Sequence, residues 1–207
     1  MYGLSIVQAP ATEPVTLGEA KTHLRVETGD DDAYISSLVS AARMHVESLT
    51  QRALITQTLK LTLDHFTGWR GVIYFPRSPI QSVSAVTYTD TVGNSQTLSP
   101  TIYRVDTASI VPRIMPAFGQ VWPVVLPQLN SVEITFIAGY GDASTVPEPI
   151  KQAIKLIIGT LYEHRETVVV GDRCEKLPDA AEYLLGPYRV ATVAGADHHE
   201  DEQRTIY

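Results

Sequence analysis

The period of the apolar positions changes twice along the chain. Thr16 and Glu19 stand at the T-x-x-E spacing of a helix capping box, ahead of residues 20 to 26, with Gly29 as a stop. They predict a short first helix. Asp30, Asp31 and Asp32 then crowd a second N-terminus, where exposed N–H groups and the helix dipole favour negative charge. Behind them Ile35, Leu38, Val39, Ala42, Val46 and Leu49 recur at helical spacing, which predicts a long helix over about 31 to 51. Its opposite face carries Ser36, Ser37, Ser40, Arg43 and Glu47, expected to meet water or a neighbour.

From about residue 55 the period becomes two. Leu59, Leu61 and Leu63 alternate with Lys60, Thr62 and Asp64, the pattern of a half-buried strand. Further strands are predicted at 72 to 75, 83 to 89, 102 to 105 and 132 to 138. Gly93 and Asn94, between Tyr88 and Leu98, predict a hairpin connection. Prolines at 76, 79, 100, 112, 116, 123 and 127 limit strand length. The stretch 109 to 130 reads as an extended loop that packs Phe118 and Trp122 on the sheet or on another subunit.

Helical period returns after Gly139, Tyr140 and Gly141. Ile150, Ala153, Ile154, Ile157, Ile158 and Leu161 form an apolar stripe against Lys151, Gln152 and Lys155, and Pro147 and Pro149 sit where a first turn tolerates missing donors. A helix is expected over about 148 to 165. Asp179 and Glu182 suggest a short fourth helix, ended by Gly186 and Pro187. After Val193 periodicity is lost and charge rises, so the tail is expected to be disordered alone or to order only on a partner. The expected architecture is α+β, a helical bundle formed by N- and C-terminal helices with an inserted antiparallel β-rich subdomain. Its parts would be a helical segment 1–53, the β insertion 54–142, a second helical segment 143–190 and a flexible tail 191–207.

Composition narrows the function classes. With 207 residues, 44% hydrophobic and 19% charged, the chain can bury a core without disulfides, metal or cofactor. A net charge of -7 disfavours a protein that grips phosphate backbones. The single cysteine, Cys174, has no internal partner, and no apolar run approaches the ~20 residues of a membrane helix. A cytoplasmic protein that avoids the membrane is expected. The six histidines show no zinc spacing, and the tail run from His198 to Glu202 reads as a solvated acidic segment. Neither a G-x-S-x-G elbow nor a phosphate-binding glycine loop occurs, so no catalytic, cofactor-binding or metal residue is assigned. Ten tyrosines against four phenylalanines suit contact surfaces that keep one end wet.

The run from Pro14 to Val26, followed by Asp31, Asp32, Ala33, Tyr34, Ile35 and by Ala41, Ala42, Arg43, resembles the opening of the tailed-phage head-tail connector proteins. In the longer members of that family a β-rich segment interrupts the helices. Residues 75–80, 136–141, 149–154, 162–166 and 184–190 are similar to it in order and spacing. The resemblance implies a non-enzymatic adaptor that forms a ring, usually twelve-fold, below the portal vertex of a DNA-filled head. It also implies a location in the virion neck, with assembly in the host cytoplasm, for a phage, a prophage or a gene transfer particle. The partners implied are further copies of itself, the portal protein and the next neck or tail-completion protein, with DNA only passing through the channel. On that reading Tyr188, Arg189, Val190, Arg204 and Tyr207 are candidate portal-contacting residues of the tail, and Arg43, Glu47, Lys151 and Lys155 a candidate intersubunit helix face. Two other readings stand beside it: a β-rich binding module with exposed aromatics between 109 and 130, and a soluble enzyme using Cys174 and His164 with nearby carboxylates.

Overall fold

The computed structural model describes residues 2–66, 71–164 and 179–190. The chain divides into a helical unit, residues 10–56 and 140–189, and a β unit whose described core is residues 2–9 and 57–139.

In the helical unit, α1 spans Leu17–Leu24 and α2 spans Asp32–Thr50. The capping box forms as the sequence suggests: the Glu19 N–H donates to Thr16 Oγ1 at 3.2 Å and the Thr16 N–H to Glu19 Oε2 at 2.8 Å. These bonds, the Thr16 backbone bond foremost, hold the Glu19 carboxyl below its ordinary value of 4.5. A carboxylate depressed on folding stabilises the native state above its unfolded pKa and loses that contribution as pH falls through the folded one. Thr16→Ala keeps the backbone bond to Glu19 but removes both Oγ1 bonds, and is expected to cost about 1 kcal/mol at neutral pH. The gap between variant and wild type should shrink as pH falls below 4.5, measured by urea unfolding at stepped pH.

The stop of α1 differs from expectation. Arg25, at φ 58, takes the left-handed conformation and closes the helix, ahead of Gly29. The Gly29 carbonyl instead accepts from the Asp32 N–H at 3.2 Å and helps open α2. Two of the crowding aspartates act as tethers there: Asp32 accepts from Lys21 Nζ at 2.6 Å, and the Tyr162 hydroxyl donates to Asp31.

α3 spans Glu148–Glu163 with Pro149 in its first turn, and α4 spans Asp179–Leu185, continued by a 3-10 turn at Gly186–Tyr188. Ile35, Leu38, Val39, Ala42 and Val46 of α2 pack with Ile150, Ala153, Ile154, Ile157 and Ile158 of α3, and Ala20, Ala181 and Leu185 complete the core. Leu161, expected in the α3 stripe, is 39% exposed because the helix ends two residues later.

The β unit holds two antiparallel sheets. β2 (Gln57–Leu63), β4 (Ile80–Thr89) and β8 (Val132–Ala138) follow the expected period-two segments, and β5 (Ser95–Thr97) closes the expected hairpin on β4. With β1 at Tyr2–Gln8, the order of the larger sheet is β1-β2-β8-β4-β5. Phe136 pairs with Leu59 on one side and Val83 on the other, and Ile134 with Leu61 and Val86, so the centre of the sheet is apolar, with all of these but Val83 buried. Phe75 lies on Phe136 with ring centroids 4.8 Å apart.

Two strands correct the sequence reading. The first nine residues, expected in the helical segment, carry β1 (Tyr2–Gln8), which pairs antiparallel with β2 from Tyr2↔Leu63 to Gln8↔Thr58. Within the expected loop, β7 (Arg113–Pro116) pairs with β6 (Tyr103–Asp106) and β3 (Ile73–Tyr74) in a three-stranded sheet. Pro112 and Pro116 bound β7, so their signal against strand structure restricts only its length.

The register gives the larger sheet two distinct ends. Tyr2, Leu63, Val132 and Tyr88 are aligned at one end. Gln8, Gln57, Ala138 and Ile80 lie at the other, where the chain leaves the sheet.

Candidate functional site

The residues expected to form an outward helix face are mostly turned inward. Arg43 and Glu47 are each 8% exposed. Arg43 Nε donates to Glu13 at 2.7 Å and Nη1 to Glu47 at 2.9 Å, while Glu47 Oε1 accepts from the Leu54 N–H at 2.8 Å. Ser40 also donates to Glu13, at 2.6 Å. The segments before α1 and after α2 thus close over this face, and Arg43 and Glu47 bind them. This corrects their expected exposure.

Lys151 and Lys155 are also partly covered, each with 15% of its side chain exposed. Lys151 pairs with Glu148 at 2.8 Å and Lys155 approaches it at 4.0 Å. Both also lower the Glu19 carboxyl slightly through their charge. The cationic row serves the helical unit itself before any partner.

Of the proposed tail residues, Tyr188 packs on the helical core and its carbonyl accepts from Arg52 Nε at 2.7 Å. Tyr188 is thus partly buried and held to the helical unit. Arg189 is exposed, 4.0 Å from Glu182, and Val190 is half-buried. Arg204, Tyr207 and Cys174 lie outside the described residues. His164 is exposed at the C-terminal cap of α3, its N–H bound to the Thr160 carbonyl. Among the described residues no cluster of His, Cys, Asp or Glu could hold a metal, and no helix is long and apolar enough to cross a membrane.

The β unit offers a different surface. Trp122 stacks on Phe66 with centroids 4.6 Å apart, and its indole N–H donates to the Gly71 carbonyl at 2.6 Å. Gly71 has φ +74, and a Cβ there would meet the indole at 3.0 Å, so glycine lets the two segments touch. Trp122 is thus packed on the sheet end, as the sequence suggested, whereas Phe118 projects fully into solvent. Between them runs an open groove of about 590 Å³ lined by Arg104, Met115, Phe118 and Val121. Val121, Val124, Leu129, Ile110 and Val92 are each more than 70% exposed. Sequence reasoning located this loop but not its outward aliphatic side chains, because between prolines they show no period.

A helical unit tied by internal ion pairs and an exposed apolar surface on the β unit suit assembly. The family described as phage gp6-like head-tail connector protein matches residues 14–99. No curated protein sequence matches the chain. Among solved structures, a chain in the neck of an empty gene transfer agent particle, computed with C6 symmetry, is similar at 28% identity and TM-score 0.77. A chain of the native gene transfer agent virion is similar at TM-score 0.73, and one of the native neck computed with C12 symmetry at 0.71. The last two also share 28% identity, and all three likenesses cover 93% of this chain and 98% of the other. The connector-family match over residues 14–99 and the likeness to gene transfer agent neck proteins over nearly the whole chain together support a structural role in the neck of a phage-type particle.

Proposed function

We propose that this chain is the subunit of a twelve-membered adaptor ring below the portal vertex, joining the DNA-filled head to the next neck or tail-completion protein. The observation that carries this reading is the likeness, over 93% of the chain, to a protein of the gene transfer agent neck computed with C12 symmetry. The subunits would be made in the host cytoplasm and enter the particle after the head is filled. A chain of net charge -7 lets DNA pass through a ring without adhering.

The tail from Ala191, with Arg204 and Tyr207, makes the portal contact in this proposal, and Arg189 marks its root. Tyr188 supplies a fixed point for that root, through its packing and its bond from Arg52. Deleting residues 191–207 should abolish binding to portal-bearing heads in a co-sedimentation assay while leaving the circular dichroism spectrum of the helices intact. Undiminished co-sedimentation would remove the tail from the portal contact. An enzymatic role for Cys174 and His164 makes the opposite demand. Cys174→Ala and His164→Ala are expected to leave the yield of tailed particles unchanged, counted by electron microscopy.

A further inference from the structure

The charged residues are distributed unevenly over the β unit. The whole chain has 16 basic and 23 acidic residues, yet residues 1–12 contain none and residues 107–131 contain only Arg113. Arg113 is itself paired with Asp106 at 3.1 Å. Both neutral stretches are exposed.

The first is β1, the edge of the five-stranded sheet, with Tyr2 at 47%, Ile6 at 60% and Val7 at 58% exposure. One row of its backbone groups pairs with β2 and the other faces outward. No charge or proline guards that row, although edge strands are commonly blunted in such ways. The opposite edge is guarded: β5 has only three residues, and β4 carries irregularities at Ile80/Ser82 and Val83/Ala85. The second neutral surface is the loop at the Tyr88 end of the sheet, where Phe118, Val121, Val124 and Leu129 stand in solvent. It is held in place by Leu126 N–H to the Thr89 carbonyl and Asn130 N–H to Asp64.

We infer that these two surfaces are the two halves of a head-to-tail contact between copies of this chain, with the β1 edge of one copy covered by the 117–129 loop of the next. The inference rests on the ring reading above. Three physical requirements point to a second copy as occupant. Copies of an acidic chain repel one another less where their touching surfaces are neutral, and both of these exposed surfaces are. A closed ring of more than two subunits needs two different patches on each subunit, because a self-complementary patch stops at a dimer. The apolar side chains on both sides supply the desolvated centre such a contact needs.

The test uses the full-length chain in neck-bearing particles, with Cys174→Ser as background. Ile6→Cys combined with Val124→Cys should give, on mild oxidation, a ladder of covalent multimers beyond the dimer in denaturing gels. Each cysteine alone should give none. Dimers from Ile6→Cys alone would overturn the inference, since β1 would then pair with itself. Neck rings visible by electron microscopy without a ladder would overturn the pairing and leave the ring reading standing. Absence of rings from wild-type particles would overturn both. As a second arm, Ile6→Lys or Val124→Glu alone should lower ring yield more than about tenfold by burying an unpaired charge, and the two together should restore it. These side chains are 60% and 79% exposed in the isolated chain, so the fold tolerates them. Wild-type ring yield from both single variants would overturn the inference.

Discussion

Phe136→Ala is expected to destabilise the β unit by about 3–5 kcal/mol. The ring is fully buried in β8, the central strand of the larger sheet, with Leu59 and Val83 as its cross-strand neighbours and Phe75 against its face at 4.8 Å. Truncation removes the transfer free energy of the ring and leaves a cavity. Strands hydrogen-bonded on both sides cannot close in to fill it, because the backbone spacing is fixed by the ladder. Ile134→Val, at the next inward position of the same strand, should cost only about 0.5–1.5 kcal/mol. Denaturant unfolding followed by near-ultraviolet circular dichroism separates the two. A loss for Phe136→Ala no larger than that for Ile134→Val would mean that β8 is not the packed centre of the sheet.

Arg43→Ala should cost a similar amount in the helical unit, about 3–5 kcal/mol, and lower Tm by about 10 °C. The guanidinium bridges Glu13 and Glu47, and its own side chain is 10% exposed. Removing it leaves the Glu47 carboxylate without its cation in a place where water cannot replace it. Glu13, with 30% of its side chain exposed, is better solvated and contributes less to the loss. Arg43→Met with Glu47→Gln should therefore be less harmful than Arg43→Ala alone. The methionine stem fills the space, no buried charge is orphaned, and the glutamine oxygen still accepts from the Leu54 N–H. A double variant less stable than the single one in thermal unfolding would show that the charge itself is not what holds these segments together.

Arg43 also shows where sequence reading stops. Its spacing with Ser36, Ser40 and Glu47 places it on the polar face of α2, and a helical pattern assigns such a face to solvent. The pattern of one helix carries no record of what crosses it. Here Glu13 and the Leu54 backbone, remote along the chain, cover that face and convert it into a hydrogen-bonded interior. The long helices were legible because their apolar stripes coincide with one shared core, and β2 and β8 because each buries every second residue. β1 was not, for the opposite reason: as an edge strand it buries almost nothing, so Tyr2–Gln8 carries no burial pattern. β7 was hidden by its own prolines, and the end of α1 by an arginine in a conformation more often given to glycine or asparagine. The connector resemblance was legible in the N-terminal helices, while the surfaces we infer to meet between copies lie in the β unit, where the sequence has the weakest periodicity.

Electron microscopy of the neck of particles that carry this chain, at a resolution that traces the backbone, is the most direct measurement. The expected result is a closed twelve-membered ring of this chain beneath the portal, with the β1 edge of each copy against the 117–129 loop of the next. A neck whose adaptor density fits another protein, or particles joined to tails with this chain absent, would contradict the assignment.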